Sequence, residues 1–281
     1  MTKIKNLFLL VSIIYTQTVL ASSLDLTPKI NNYIKAKRKQ SKVSNDERTS
    51  WYAYDLVSKQ VILSINARRQ MQAASMIKPF IALAFFDKVK NGKIKYGAKS
   101  KAQLQASIQH SDNKATNWLM RNVGGPKAVQ KILSKNYPDI FKETKVVEYI
   151  PAGGKTYKNC ASALDYGRFL KALWKRKLPY SKEILWAMSL PGRDRLYSST
   201  PIPKGTLVYN KTGSTARLCG DMGILVACDK NGKKHPYIIV GIIEKSKRTP
   251  SYGNWMRMRG NIIRAVSTQT YNALKIKYNL R

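Results

Sequence analysis

The sequence predicts an α/β (α+β) fold: an antiparallel sheet flanked by helices, with an all-helical subdomain inserted between its strands. Three observations predict it. Strand-like alternation marks both ends of the chain, in SWYAYDLVSKQVILSINARRQ early and in TLVYNKTGST, MGILVACD and HPYIIVGIIEK late. The segment PFIALAFFDKVKNGK is apolar on every side from Phe80 to Phe86, as a buried helix must be. The chain from about 100 to 190 then reads mainly as helices.

Taken in order, MTKIKN is basic, LFLLVSIIYTQTVL is mostly apolar, and VLASS offers small residues for cleavage after Ala21 or Ser22. Residues 1–21 are thus expected to be a secretory signal peptide, which implies a secreted or periplasmic protein. Residues 22–281 form one catalytic domain, with a sheet subdomain over about 48–70 plus 191–281 and a helical subdomain over about 71–190. The polar, lysine-rich stretch 22–47 reads as a helix or arm. Two strands follow around a turn at Ser58 and Lys59, and Asn91-Gly92 closes the buried helix. AQLQASIQH, NKATNWLMRNV and PKAVQKILSKN are further helices, the second closed by Gly124-Gly125 and the third opened by Pro126. ALDYGRFLKALWKRK is another, and an amphipathic helix from about Trp255 to Leu274 ends the chain. No internal repeat is present.

Charge is the outlier of the composition, with 51 Lys and Arg against 15 Asp and Glu and a formal net charge of +36. Such a field draws an exported protein non-specifically to anionic envelope surfaces, although a lysine-rich proteome would produce the same count. Zinc-ligand spacing, aromatic RNA-binding motifs and leucine heptads are missing, so specific nucleic-acid recognition is not expected. Two histidines, His110 and His235, are too few for most zinc hydrolase sites and make a Ser-His-Asp mechanism awkward. A monomer that works without metal or cofactor is expected. In an oxidising compartment two of Cys160, Cys219 and Cys228 can pair, and the sequence does not choose which.

Candidate chemistry lies in three short motifs. Ser75 and Lys78, in AASMIKPF, stand at the mouth of the buried helix. At i and i+3 they share one helical face, and the N–H groups of a helix start favour an oxyanion formed there. A second Ser-x-x-Lys, Ser111 with Lys114, lacks that context. Ser111-Asp112-Asn113 taken alone is a good helix cap. Lys211-Thr212-Gly213 taken alone is an ordinary polar strand.

In this order, Ser-x-x-Lys, Ser-Asp-Asn and Lys-Thr-Gly resemble the motifs of the penicillin-recognising serine hydrolases, and most closely those of the class A β-lactamases. WYAYDL and LSINARRQ look like that family's first two strands, NWLMRNVGGPKAVQKIL like its Asn-bearing helix and Gly-Gly-Pro turn, and SALDYGRFLKALW like the helix after its Ω-loop. The resemblance implies a β-lactamase/transpeptidase-like fold and an acyl-enzyme on Ser75. It makes Lys78 the base or its assistant, and Ser111 the proton relay to the leaving nitrogen. Asn113 would bind the substrate's side-chain amide, and Lys211 and Thr212 its carboxylate. Gly213 would allow close approach, the backbone N–H groups of Ser75 and Thr215 would form the oxyanion hole, and Arg217 would be an extra cation, an ordinary strand arginine being the alternative. The implied substrate is a small β-lactam or a peptidoglycan stem peptide.

Two departures qualify the resemblance. The family's deacylation glutamate falls nearest to Glu148, 37 positions after Ser111, yet EYIPAGGK has Ala152 where an Asn is expected and its loop is short. Ser75 and Ser111 lie only 36 positions apart, so part of the helical wall of the cleft is trimmed. The expected function is hydrolysis of β-lactams, with a D-alanyl-D-alanine carboxypeptidase, endopeptidase or slowly turning-over penicillin-binding protein as the alternative.

Overall fold

Five antiparallel strands separate two hydrophobic cores. In space they run β2 (Gln60–Ile65), β1 (Glu47–Asp55), β7 (Lys234–Lys245), β6 (Leu218–Cys228), β5 (Leu207–Thr215). A two-stranded ribbon, β3 (Met71–Gln72) with β4 (Cys160–Ala161), lies apart from them. The structure is a computed structural model that describes residues 24–151, 157–249 and 251–281. The expected signal peptide lies outside the described residues.

Both faces of the sheet are covered, which explains why β6 and β7 read as almost continuous apolar runs rather than as alternating strands. The edge-proximal β1 shows the two-residue period. Trp51 and Ala53 face α1 (Thr27–Lys39) and α8 (Tyr252–Tyr278), whereas Tyr52 and Tyr54 face the helical subdomain. On that second side lie α2 (Lys78–Lys90), α3 (Ala98–Ile108), α4 (Asn113–Val123), α5 (Pro126–Asn136), α6 (Ala163–Trp174) and α7 (Ser181–Ser189).

The helix α2 is buried from Lys78 through Asp87, as its all-round apolar sequence requires. Phe80 packs edge-on against Phe141 and Phe169, with ring centroids 4.7 and 4.9 Å away, and this aromatic cluster locks α2 to α6. Asp112 caps α4 by accepting from Ala115 N–H at 2.7 Å, and Gly124 ends it in the left-handed region at φ +108°.

Several boundaries differ from the sequence expectation. Strand β1 begins at Glu47 because that buried carboxylate takes two hydrogen bonds from Arg259 of α8, at 2.7 and 2.6 Å. Helix α8 runs past Leu274 to Tyr278, where Lys277 and Tyr278 both donate to Asp55 at the β1–β2 turn. The three cysteines are all free thiols, with Cys219 buried and Cys160 and Cys228 half-buried, so no disulfide joins them. Among the described residues no helix is long and apolar enough to cross a membrane.

The contact of α6 with the sheet turns on Gly167. A Cβ there would lie 2.3 and 2.4 Å from ring carbons of Tyr52, itself buried. Gly167→Ala is therefore expected to lower stability by about 1–3 kcal/mol, the usual cost of overpacking. Thermal or urea unfolding followed by circular dichroism measures this. An unchanged midpoint would mean the Tyr52 ring swings aside freely.

Candidate active site

A short 3-10 turn, Ala74–Ile77, delivers the chain into α2 and carries Ser75. Ala74 adopts φ +46°, a conformation that costs an L-residue of order 1 kcal/mol or more. It is held there by complete burial and by the neighbouring Ala73 N–H, which donates to Asn159 O at 2.8 Å. Met76 N–H is the first in the turn to bond back, to Ala73 O at 3.1 Å, which leaves the N–H of Ser75 over. The Ser75 hydroxyl has no hydrogen-bond partner among the described residues and lines a cleft of about 560 Å³ between the sheet and the helical subdomain.

Lys78 follows as the first residue of α2 and is fully buried. Its Nζ donates to Ser111 O at 2.6 Å, Ser111 Oγ at 3.2 Å and Asn113 Oδ1 at 2.9 Å. Ser111 sits at φ +57°, and that turn brings both its carbonyl and its hydroxyl to the amine. Burial pushes the Lys78 amine down to about 7; the cation of Lys211 pushes the same way and Asp112 pulls back. When the ammonium loses its proton, the Ser111 hydroxyl can reverse its role from acceptor to donor by rotation alone.

Edge strand β5 forms the opposite wall. Lys211 and Thr212 both line the cleft and are buried. Burial lowers Lys211 to about 8 against the pull of Asp221, with Arg195 and Arg193 reinforcing the burial. Asp221 stands opposite Thr212 on β6, fully buried and raised by burial to about 7. It accepts from Arg195 N–H at 2.7 Å and from Asn210 Nδ2 at 3.0 Å. The Arg195 guanidinium in turn reaches Gly220 O at 2.9 Å and Ser214 Oγ at 2.7 Å.

Of the residues expected from the sequence, Ser75, Lys78, Ser111, Asn113, Lys211 and Thr212 come together, and Gly213 lies beside them. Gly213 also has a role within the protein. A Cβ there would meet Met76 Cγ at 3.0 Å and Ala74 Cβ at 3.2 Å, so this glycine lets the nucleophile turn approach the strand. Thr215 is corrected as an oxyanion donor. It pairs with Leu218 across the two-residue turn, which directs its N–H into the sheet, and by alternation Ser214 N–H points to the open edge. The Thr215 hydroxyl is spent on Gln72 Oε1 at 3.0 Å.

Arg217 is also corrected. It occupies the β5–β6 turn, stacks on Tyr157 and donates to Ser246 O at 3.2 Å, away from the cleft lining. Glu148, the expected deacylation base, stands on the segment between α5 and β4. Asn159 pins its backbone, its Oε1 accepts from Lys158 N–H at 3.1 Å, and it does not line the cleft. Two residues on, Ile150 does. Asn117 fixes Ile150 from both sides, accepting from its N–H and donating to its carbonyl, each at 2.8 Å. Ile150, Arg193, Asn210 and Ser214 escaped the sequence reading. The only signal for them was adjacency, Asn210 preceding Lys211 and Ser214 following Gly213.

The geometry can be set beside known proteins. The family model described as "Beta-lactamase enzyme family" matches residues 25–103 and 98–274. A β-lactamase structure from Chitinophaga pinensis is 16% identical, superposes with a TM-score of 0.71, and covers 88% of this chain and 99% of its own. A class A β-lactamase representative from Bacteroides cellulosilyticus is 19% identical, with a TM-score of 0.70 and coverage of 90% and 99%. A leucine-to-glutamate mutant of PBP-A, described as an acyl-enzyme complex with penicillin G, is 18% identical, with a TM-score of 0.67 and coverage of 87% and 97%. At such identities the likeness is one of fold. No curated protein sequence matches the chain.

Lys78 can take a proton only when neutral, and Lys211 can hold a carboxylate only when charged. Acylation by penicillin is therefore expected to rise with pH through about 7 and to fall above about 8. Lys78→Arg, which cannot deprotonate, should lose several orders of magnitude in acylation rate. Stopped-flow acylation from pH 5 to 10 reads both. A rate that is flat through pH 7, or an arginine variant within about tenfold of wild type, ~1.4 kcal/mol of barrier, would remove Lys78 as the base.

Proposed function

Because the chain belongs to the β-lactamase enzyme family, we propose that it is an exported active-site serine hydrolase that forms an acyl ester on Ser75. The neutral Lys78 amine takes the Ser75 proton as Oγ attacks the amide carbonyl, and the N–H groups of Ser75 and Ser214 receive the developing oxyanion. The C–N bond breaks as Ser111 delivers a proton to the leaving nitrogen, and Lys78 replaces it. Asn113 Nδ2 remains available for the acyl amide, and Lys211 with Thr212 meets the carboxylate. The observation that carries this reading is the buried Lys78 amine, bound to Ser111 and Asn113, which line the same cleft as the unbonded Ser75 hydroxyl.

Release is the slow half. None of the described residues lining the cleft is acidic. Ile150 fills the wall where a water-activating group could stand. A β-lactam's leaving nitrogen stays tethered to the acyl group and blocks the Lys78–Ser111 side, whereas a peptide's leaving amine departs and lets water in there. This favours a penicillin-binding protein or D-alanyl-D-alanine peptidase over a fast β-lactamase. The described PBP-A complex, a penicillin acyl-enzyme on the same fold, is the type of adduct expected.

Fluorescent penicillin should label the wild type, and Ser75→Ala should abolish the label while keeping the circular dichroism spectrum. Mass spectrometry should show a persistent gain of one penicillin mass, with a lifetime that Glu148→Gln leaves unchanged. Ile150→Glu supplies a carboxylate at the cleft wall and should shorten that lifetime, with roughly 100-fold expected of general-base assistance. Labelling that survives Ser75→Ala sinks the nucleophile. A wild-type adduct that clears within seconds and persists only in Glu148→Gln restores the β-lactamase reading.

A further inference from the structure

The loop between α7 and β5 places an arginine in the cleft that catalysis leaves unused. Arg193 is exposed and lines the cleft, and its carbonyl accepts from Asn210 Nδ2 at 3.1 Å, which ties it to the residue just before Lys211. Its charge bears directly on the Lys211 ammonium. No hydrogen bond or ion pair engages its guanidinium among the described residues, and the two nearby acids are committed elsewhere. The Asp194 carboxylate receives the N–H groups of Leu196, Tyr197 and Ser198 at 2.6 to 2.7 Å. Asp221 lies buried behind the strand, on Arg195 N–H and Asn210. The cleft thus holds two adjacent cations, and one substrate carboxylate on Lys211 and Thr212 satisfies only the first.

We infer that Arg193 is a specificity-determining residue that selects acyl donors whose leaving portion carries a second acidic group beside its α-carboxylate. This rests on the proposed function, since the leaving group is defined by acylation of Ser75. A terminal residue held by its α-carboxylate at Lys211 extends its side chain toward the loop Leu190–Arg193, and a side-chain carboxylate there meets the guanidinium in bidentate geometry. Arg193 is solvated, so the gain is modest and screened by salt.

The test is competition against fluorescent-penicillin labelling by two N-acetylated stem-type peptides, one ending in D-alanyl-D-alanine and one in D-alanyl-D-glutamate. Wild type should be protected about three- to tenfold better by the D-glutamate peptide, with the advantage shrinking at 0.5 M salt. In Arg193→Gln the ratio of the two should fall to about one, whatever its labelling rate, and Arg193→Lys should recover part of it. Lys127→Gln, an exposed charge on α5, removes the same unit of net charge and should keep the wild-type ratio. Equal protection in wild type, no protection by either peptide, or a ratio that survives Arg193→Gln or falls in Lys127→Gln overturns the assignment. Absence of penicillin labelling would instead overturn the acyl-enzyme reading on which it rests.

Discussion

The site depends on one costly act, the burial of the Lys78 amine. Its proton affinity falls from the ordinary lysine range to about 7. Between there and about 10.5 the unfolded chain binds a proton that the folded chain does not, so stability rises with pH across that window. At neutral pH the penalty is on the order of several kcal/mol. The remainder of α2 offsets it. From Pro79 to Phe86 every residue is apolar and buried, and Phe80 anchors the helix to α6 through Phe169 and to the segment before β4 through Phe141. The apolar helix is therefore part of the chemistry, because a half-solvated α2 would return Lys78 to a charge it could not use.

The second constraint is the open edge of β5. An unpaired strand edge exposes alternate N–H and C=O groups, which natural sheets usually cover or blunt. Here the edge faces the cleft, which Lys211, Thr212 and Ser214 line together with Ser75. The strand can stand so close to the nucleophile turn because Gly213 and Gly220 leave room for Met76. Behind it, Asp221 and Arg195 link the strand to the preceding loop and temper the charge on Lys211. The same pair of strands thus sets the position of Lys211 and, through Asp221, part of the charge around it.

What could be read from the sequence followed the reach of local physics. The buried helix was legible because nothing but burial tolerates IALAFF. The first two motifs were legible because their polar groups sit at helix starts, where sequence spacing fixes geometry, and the third because it follows them in order on a late strand. Glu148 was less legible for the complementary reason. Position along a loop says little about facing, and the facing of this loop is decided by Asn117 and Asn159, which lie 31 positions before and 11 after Glu148. Arg217 was misplaced by an error of turn length, since β5 ends at Thr215 and the alternation does not continue through the turn. Arg195 and Asp221 could not be paired in advance, because their contact exists only once β6 lies beside β5.

Acylation and release make opposite demands on these groups, and the cleft meets the first more fully. On the proposed function acylation needs a neutral amine, a relay hydroxyl and oxyanion donors, and the residues proposed for them stand on the turn into α2, the start of α4 and β5. Release needs water aimed at the ester and a base to receive its proton. With Ile150 in the wall and Glu148 turned to Lys158, the Lys78–Ser111 pair is the base that remains. That pair serves twice only if the leaving amine moves away between the two steps. A peptide bond permits this and a fused β-lactam ring does not, so on the proposed function the side chain at position 150 is where penicillin's fate as substrate or trap would be decided.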